Sequence, residues 1–284
     1  MTAPTTSRTT PVPAARPSDP KARFGDLVAA EWIKLWSLRS TGWSFAVTVA
    51  LVLMSTVSIA AGDLRQYTGG DEEQRVLFRT LGRVADTFPS GAAMMLVIGA
   101  GAIGAITILG EYTSGMIRTT FTVVPARSAV MAAKAAAVTA ATTLLGAGAA
   151  LASYVAAQVV LSGEDLAVGP GHSGVLRLIL ASVLLAPVSA LVGMGVAAVI
   201  RHNVAAIVAT VALLFVIPSL LNARSRVSVD ALHMTVLQAW DRLGHGQPAA
   251  VEWPWTAGGA CLVLTVWTLV AAALVVFSAN RRDQ

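Results

Sequence analysis

Six apolar stretches free of Asp, Glu, Lys, Arg and His run through this chain, at 43–62, 89–109, 135–161, 178–200, 204–222 and 255–279. A helix needs about 20 largely apolar residues to cross about 30 Å of hydrocarbon. Each stretch therefore reads as a transmembrane helix, and the expected fold class is an all-α membrane protein. The rest of the composition agrees. Only 12% of the residues are charged, against roughly 25% in soluble domains, so there is too little polar surface for a soluble globule. A single cysteine, Cys261, excludes a disulfide framework and a cysteine-based metal cluster. The third and sixth stretches exceed the span length, which predicts tilt or a protruding turn. Only Arg201-His202-Asn203 separates the fourth from the fifth, which predicts a tight turn. Pro187 and Pro218 fall inside spans and are expected to kink them rather than end them.

Outside the spans, residues 1–22 are rich in Thr, Pro, Ser and Arg and read as a disordered tail. Six spans put both termini on one side. With the tail inside, the inner segments hold twelve Lys and Arg and the outer segments eight, so the positive-inside rule places both termini in the cytoplasm. Residues 280–284 are then a cytoplasmic C-terminal tail. The net charge of +5 is read as this membrane bias, not as a nucleic-acid footprint. Trp32, Trp36 and Trp43 would mark the inner interface and Trp253 and Trp255 the outer one. Residues 24–39 repeat Phe24, Val28, Trp32 and Leu35 at helical spacing, which predicts an amphipathic helix in the membrane plane. Residues 75–88 pattern the same way, with Arg75, Arg79 and Arg83 in one stripe that reads as a solvated face.

Several short patterns suggest chemistry and lack its context. Gly99-Ala-Gly101-Ala-Ile-Gly104 fits the dinucleotide fingerprint literally, but it lies inside a span, with no strand before it. Close helix packing through Gly99, Gly101, Gly104, Gly146, Gly148, Gly193 and Gly195 is the better account. Leu161-Ser162-Gly163-Glu164 matches the start of an ATPase signature, yet no G-x-x-x-x-G-K-[ST] occurs, so the chain carries no P-loop. His172, His202, His233 and His245 have no metal-ligand spacing. No catalytic residue, cofactor site or metal site is expected. The uncharged spans also lack the titratable relay of a proton-driven carrier.

The densest polar chemistry follows the second span: Gly110-Glu111-Tyr112-Thr113-Ser114-Gly115-Met116-Ile117-Arg118, then Val124-Pro125-Ala126-Arg127, then Lys134. Gly110 and Gly115 permit a turn, residues 116–124 can form a short helix, and Pro125 should redirect it. Glu111, the one acid of this loop, could make a charge-assisted contact if buried near Arg118 or Arg127, and on composition alone the loop reads as a solvated interfacial one whose basic residues follow the positive-inside rule. Together with Glu31-Trp32-Ile33-Lys34-Leu35-Trp36-Ser37-Leu38-Arg39 before the first span, this run resembles the permease subunits of ABC-2 type transporters, in the form common in actinobacteria. The resemblance covers about residues 24–284.

The resemblance implies a membrane-spanning permease subunit of an exporter, coupled to a separate cytoplasmic ATP-binding subunit that holds ATP and Mg, and paired with a second permease subunit in the cell membrane. It implies a connecting helix over 23–42, carrying Glu31, Trp32, Lys34 and Arg39, and a transmembrane domain over 43–279. It further implies a coupling helix within 110–127, with Glu111, Tyr112, Arg118, Pro125 and Arg127 toward the ATPase. External or re-entrant helices are implied within 223–254. Two other classes remain open at this point: an ATP-independent secondary carrier, and a non-transporting membrane scaffold or sensor.

Overall fold

A computed structural model describes residues 23–79, 83–113, 127–164, 166–221, 225–246 and 253–278. The described residues are helical and contain no strand. Six helices are long and apolar enough to cross a membrane. The order is α1 (Phe24–Ser37), α2 (Arg39–Gly69), α3 (Glu72–Leu77), α4 (Ser90–Thr113), α5 (Arg127–Leu161) and α6 (Ser173–Ile200). Then come α7 (Asn203–Leu220), α8 (Arg226–His233), α9 (Val236–Gly244) and α10 (Ala257–Ser278).

The outside of the bundle is apolar and its inside carries hydroxyls, the reverse of a soluble domain. Trp43, Val47, Leu51 and Met54 on α2 and Leu262, Val266 and Leu269 on α10 are exposed. Such a surface is stable against lipid and not against water. Thr56, Thr142, Ser182, Ser189 and Thr210 are buried. Each donates its hydroxyl hydrogen to the carbonyl four residues back on its own helix. These five hydroxyls are thereby satisfied where water is absent.

Helix α6 is the hub, packing against α4, α5, α7, α9 and α10. Glycines let the backbones touch. A Cβ on Gly104 would stand 1.9 Å from Ala190 O, and one on Gly193 would stand 2.0 Å from Gly101 O. Gly99 abuts Thr48 of α2, Gly146 abuts Val183 O of α6, and Gly195 abuts Ala271 of α10. Gly148 departs from the expectation. It has nothing within 4 Å, because two residues along a helix from Gly146 turn it to the opposite face.

The helices outrun the apolar stretches that predict them. α2 spans 31 residues and α5 spans 35, roughly 46 and 52 Å at about 1.5 Å per residue, against about 30 Å of hydrocarbon. Hydropathy marks where apolar residues stop, not where the helix stops; in α5 the Ala-rich run from Arg127 to Lys134 continues it. Lys134, expected in the loop, is thus inside α5, and Asp63 and Arg65 belong to α2. Gly110 makes no turn, since it lies within α4. The expected coupling helix, with Arg118 and Pro125, lies outside the described residues.

The connections are specific. Ile200 and Asn203 bound the α6–α7 turn, where Arg201 adopts φ 56° and its Nη2 donates to Ser278 O at the end of α10. α6 continues through Pro187 without ending there, and α7 opens into a π turn at Ala212–Val216 around the approach to Pro218. The 75–88 segment is not one helix. α3 ends at Leu77, and Arg75 and Arg79 turn back onto Tyr67, donating to its carbonyl and hydroxyl oxygens. These two arginines engage α2 through Tyr67 and Thr68 while Arg79 stays exposed to the surroundings, and the side chain of Arg83 lies outside the described residues. Between α7 and α10, α9 lies against α6. Its Trp240 is fully buried, edge-on to Phe88, and donates Nε1–H to Ser182 Oγ.

Candidate functional site

Glu31 sits on the face of α1 that packs against α5, together with Leu35, and both are buried. Of the expected apolar stripe, Leu35 is buried in the core and Trp32 packs against it, while Phe24 at the start of the helix is half exposed. The segment starts as a helix because Asp26 accepts the Arg23 N–H at its first turn. It stops at Leu38, whose extended backbone leads directly into α2. Trp32 and Trp36 lie tilted against each other with ring centres 5.9 Å apart, and Trp36 continues onto Phe45 of α2.

Four charged side chains converge where α1 meets the end of α4 and the start of α5. Lys134 Nζ donates to Glu31 Oε2 and to Glu111 Oε1, the latter at 2.8 Å. Lys34 Nζ donates to Glu31 Oε1 at 2.7 Å and stands 3.6 Å from Glu111 Oε1. Glu31 and Lys134 are each 5% exposed and Glu111 is 8% exposed. Buried charges persist only when paired and hydrogen-bonded, and two ammonium groups here match two carboxylates. Burial pulls the Lys34 ammonium down, but the Glu31 and Glu111 carboxylates outweigh it and hold its pKa above the usual lysine value. A cavity of about 370 Å³ opens beside the cluster, bounded by α1, α2, α4 and α5 and lined by all four charged residues.

Glu111 is therefore buried, and its described partners are Lys134 and Lys34. Tyr112 lies in the last turn of α4 and Arg127 opens α5, while Arg39 opens α2 and is exposed. The pairing of Glu31 with Lys134 joins residues 103 apart and is absent from the sequence reading. The usable signal was a lysine embedded in an Ala-rich helical run, where an unpaired charge would be costly.

The remaining polar candidates have structural roles. Gly99, Gly101 and Gly104 lie within α4, facing α2, α7 and α6. His172 and His202 cap α6 and α7, each accepting a backbone N–H through Nδ1. His233 stacks on Trp255 at 4.4 Å, and His245 contacts Asp241 through Nδ1. Burial holds the pKa of His233 down, partly opposed by Asp230. No group of His, Cys, Asp and Glu among the described residues is arranged to hold a metal ion.

Comparison with known families agrees with this architecture. The family model described as ABC-2 family transporter protein matches residues 27–219. The match begins in α1, ends in α7 and takes in all four members of the charged cluster. No curated protein matches the chain. With six membrane-spanning helices and a family match over more than half its length, the chain belongs to the ABC-2 transporter family of multi-pass membrane proteins.

Proposed function

We propose that this chain is the permease subunit of an ATP-driven exporter in the cell membrane, with both termini cytoplasmic. It forms the solute pathway with a second permease subunit, and a separate cytoplasmic subunit binds and hydrolyses ATP-Mg. The observation that carries this reading is the buried charged cluster. It ties α1 to the end of α4 and the start of α5, the two helices that flank residues 114–126. A partner pushing on the 114–126 connection would act on both helices at once. The cluster would pass that push to α1, and through Leu38 to α2. Glu111 is the centre of this coupling element, and Tyr112, Arg118, Pro125 and Arg127 are its contacts toward the ATPase.

The test has two arms. Purification in mild detergent is expected to co-elute a protein with a P-loop. In vesicles holding the complex, Glu111→Ala is expected to keep membrane insertion and ATP hydrolysis while losing transport. Transport at the wild-type rate at equal protein level removes Glu111 from the mechanism. Solute movement by this chain alone, under an ion gradient, overturns the ATP-driven reading.

A further inference from the structure

Asp86 lies at the end of the bundle opposite the charged cluster, in the segment that leads into α4. Its residue is only 3% exposed, and Thr87 and Phe88 beside it are buried more completely. Its Oδ2 has no hydrogen-bond partner. Nearby hydroxyls do not serve it. Thr87 spends its hydrogen on Val84 O, and Ser153 of α5 donates to Thr87 O while also contacting Thr56 of α2. What does reach Asp86 is another carboxyl. Asp63, on the last third of α2, lies within hydrogen-bonding reach. Two carboxylates repel at such a distance and neither can donate, so the contact is attractive only with one proton between them.

We propose that Asp63 and Asp86 form a proton-binding site, a carboxyl–carboxylate pair that fastens the segment entering α4 to the end of α2. One proton is taken up and no other group is consumed. Burial, then the hydrogen bond and charge of Asp63, push the Asp86 carboxyl up to about 8. From the other elements packed here, α5 brings the neutral Ser153 hydroxyl and α9 the Trp240 indole, which meets Phe88 and carries His245 edge-on behind it, with His245 Nδ1 on Asp241. The start of α6, where Gly174 faces Val84, brings His172, which accepts from Gly174 N, and Arg177, which donates to Gly244 O. Arg83, three residues earlier in the chain, has a side chain outside the described residues.

The pair accounts for an acid kept in an apolar setting without a cation among its described partners. It also places a titratable group at the far end of spans whose apolar cores have none. Under the proposed orientation this end faces the exterior, so the proton would come from outside the cell. The site does not depend on that orientation or on the transport reading, because protonation is measured on the chain itself.

The test uses the full chain in lipid nanodiscs, with infrared difference spectroscopy and thermal unfolding across pH. The wild type is expected to show the carbonyl band of a protonated carboxylic acid at pH 7, lost as the pH rises through about 8. An acid held protonated above its ordinary range takes up a proton on folding, so the melting temperature should fall as pH rises from about 4 toward 8, then level off. Asp86→Asn keeps the shape and removes the proton. It should abolish the band at pH 7 and flatten the melting profile. Asp63→Asn leaves Asp86 in place and removes its neighbour's charge, so the band should persist but titrate at a lower pH. If the wild type shows no protonated carboxyl at pH 7, or if both variants keep its titration, there is no such site.

Discussion

Lys134→Met tests the buried cluster most directly. Methionine keeps an unbranched side chain, one atom shorter than lysine, and deletes the ammonium group. The lysine is 5% exposed and faces two carboxylates that are 5% and 8% exposed. After the substitution Glu31 still has Lys34 at 2.7 Å, but Glu111 has only Lys34 at 3.6 Å, beyond hydrogen-bond length. Breaking a buried ion pair on one side costs about 3–5 kcal/mol. The surviving Lys34 contact argues for the lower end, about 3 kcal/mol, or roughly 150-fold in the unfolding equilibrium. The assay is a reversible SDS titration in mixed micelles, read by helical circular dichroism. The triple variant E31Q/E111Q/K134M removes the orphaned charges with the lysine and should recover to within about 1 kcal/mol of wild type, as neutral replacements of buried pairs usually do. A single variant within about 0.5 kcal/mol of wild type, the range of ordinary surface changes, would refute the idea that these charges are buried together.

Two further outcomes follow from the same packing. Gly104→Ala puts a methyl group where Ala190 O already stands, 1.9 Å away, and should cost at least about 1–3 kcal/mol. Gly148→Ala meets nothing within 4 Å and should stay within about 0.5 kcal/mol; equal losses in the same titration would contradict the assigned helix faces. Lys34 gives an alkaline signature. Its folded pKa lies above the ordinary 10.5, so its contribution is complete below pH 10.5 and drains away as pH climbs through the raised folded value. Lys34→Met should lack that alkaline decline when unfolding is followed against pH.

The number of spans was legible because an uncharged run of span length has few other folds open to it. The helix ends were not, because charges interrupt hydropathy without interrupting the helix. Lys134 and Asp63 were assigned to loops although the backbone runs on past both. The glycines were legible as a set and not one by one. Gly146 and Gly148 look alike in sequence, but only the first meets another helix. Glu111 stood out as the single acid of its loop, while its partner came from a lysine 23 residues away. Asp86 gave no signal at all, since its importance lies in a neighbour on a different helix.

Where Gly101 meets Gly193 and Gly104 meets Ala190, the backbones of α4 and α6 touch with no side chain to serve as a bearing between them. Two rods welded along their spines cannot slide or roll without a clash of peptide oxygens. They behave as one beam, and any large swing within this molecule has to be taken up by the members hung around it.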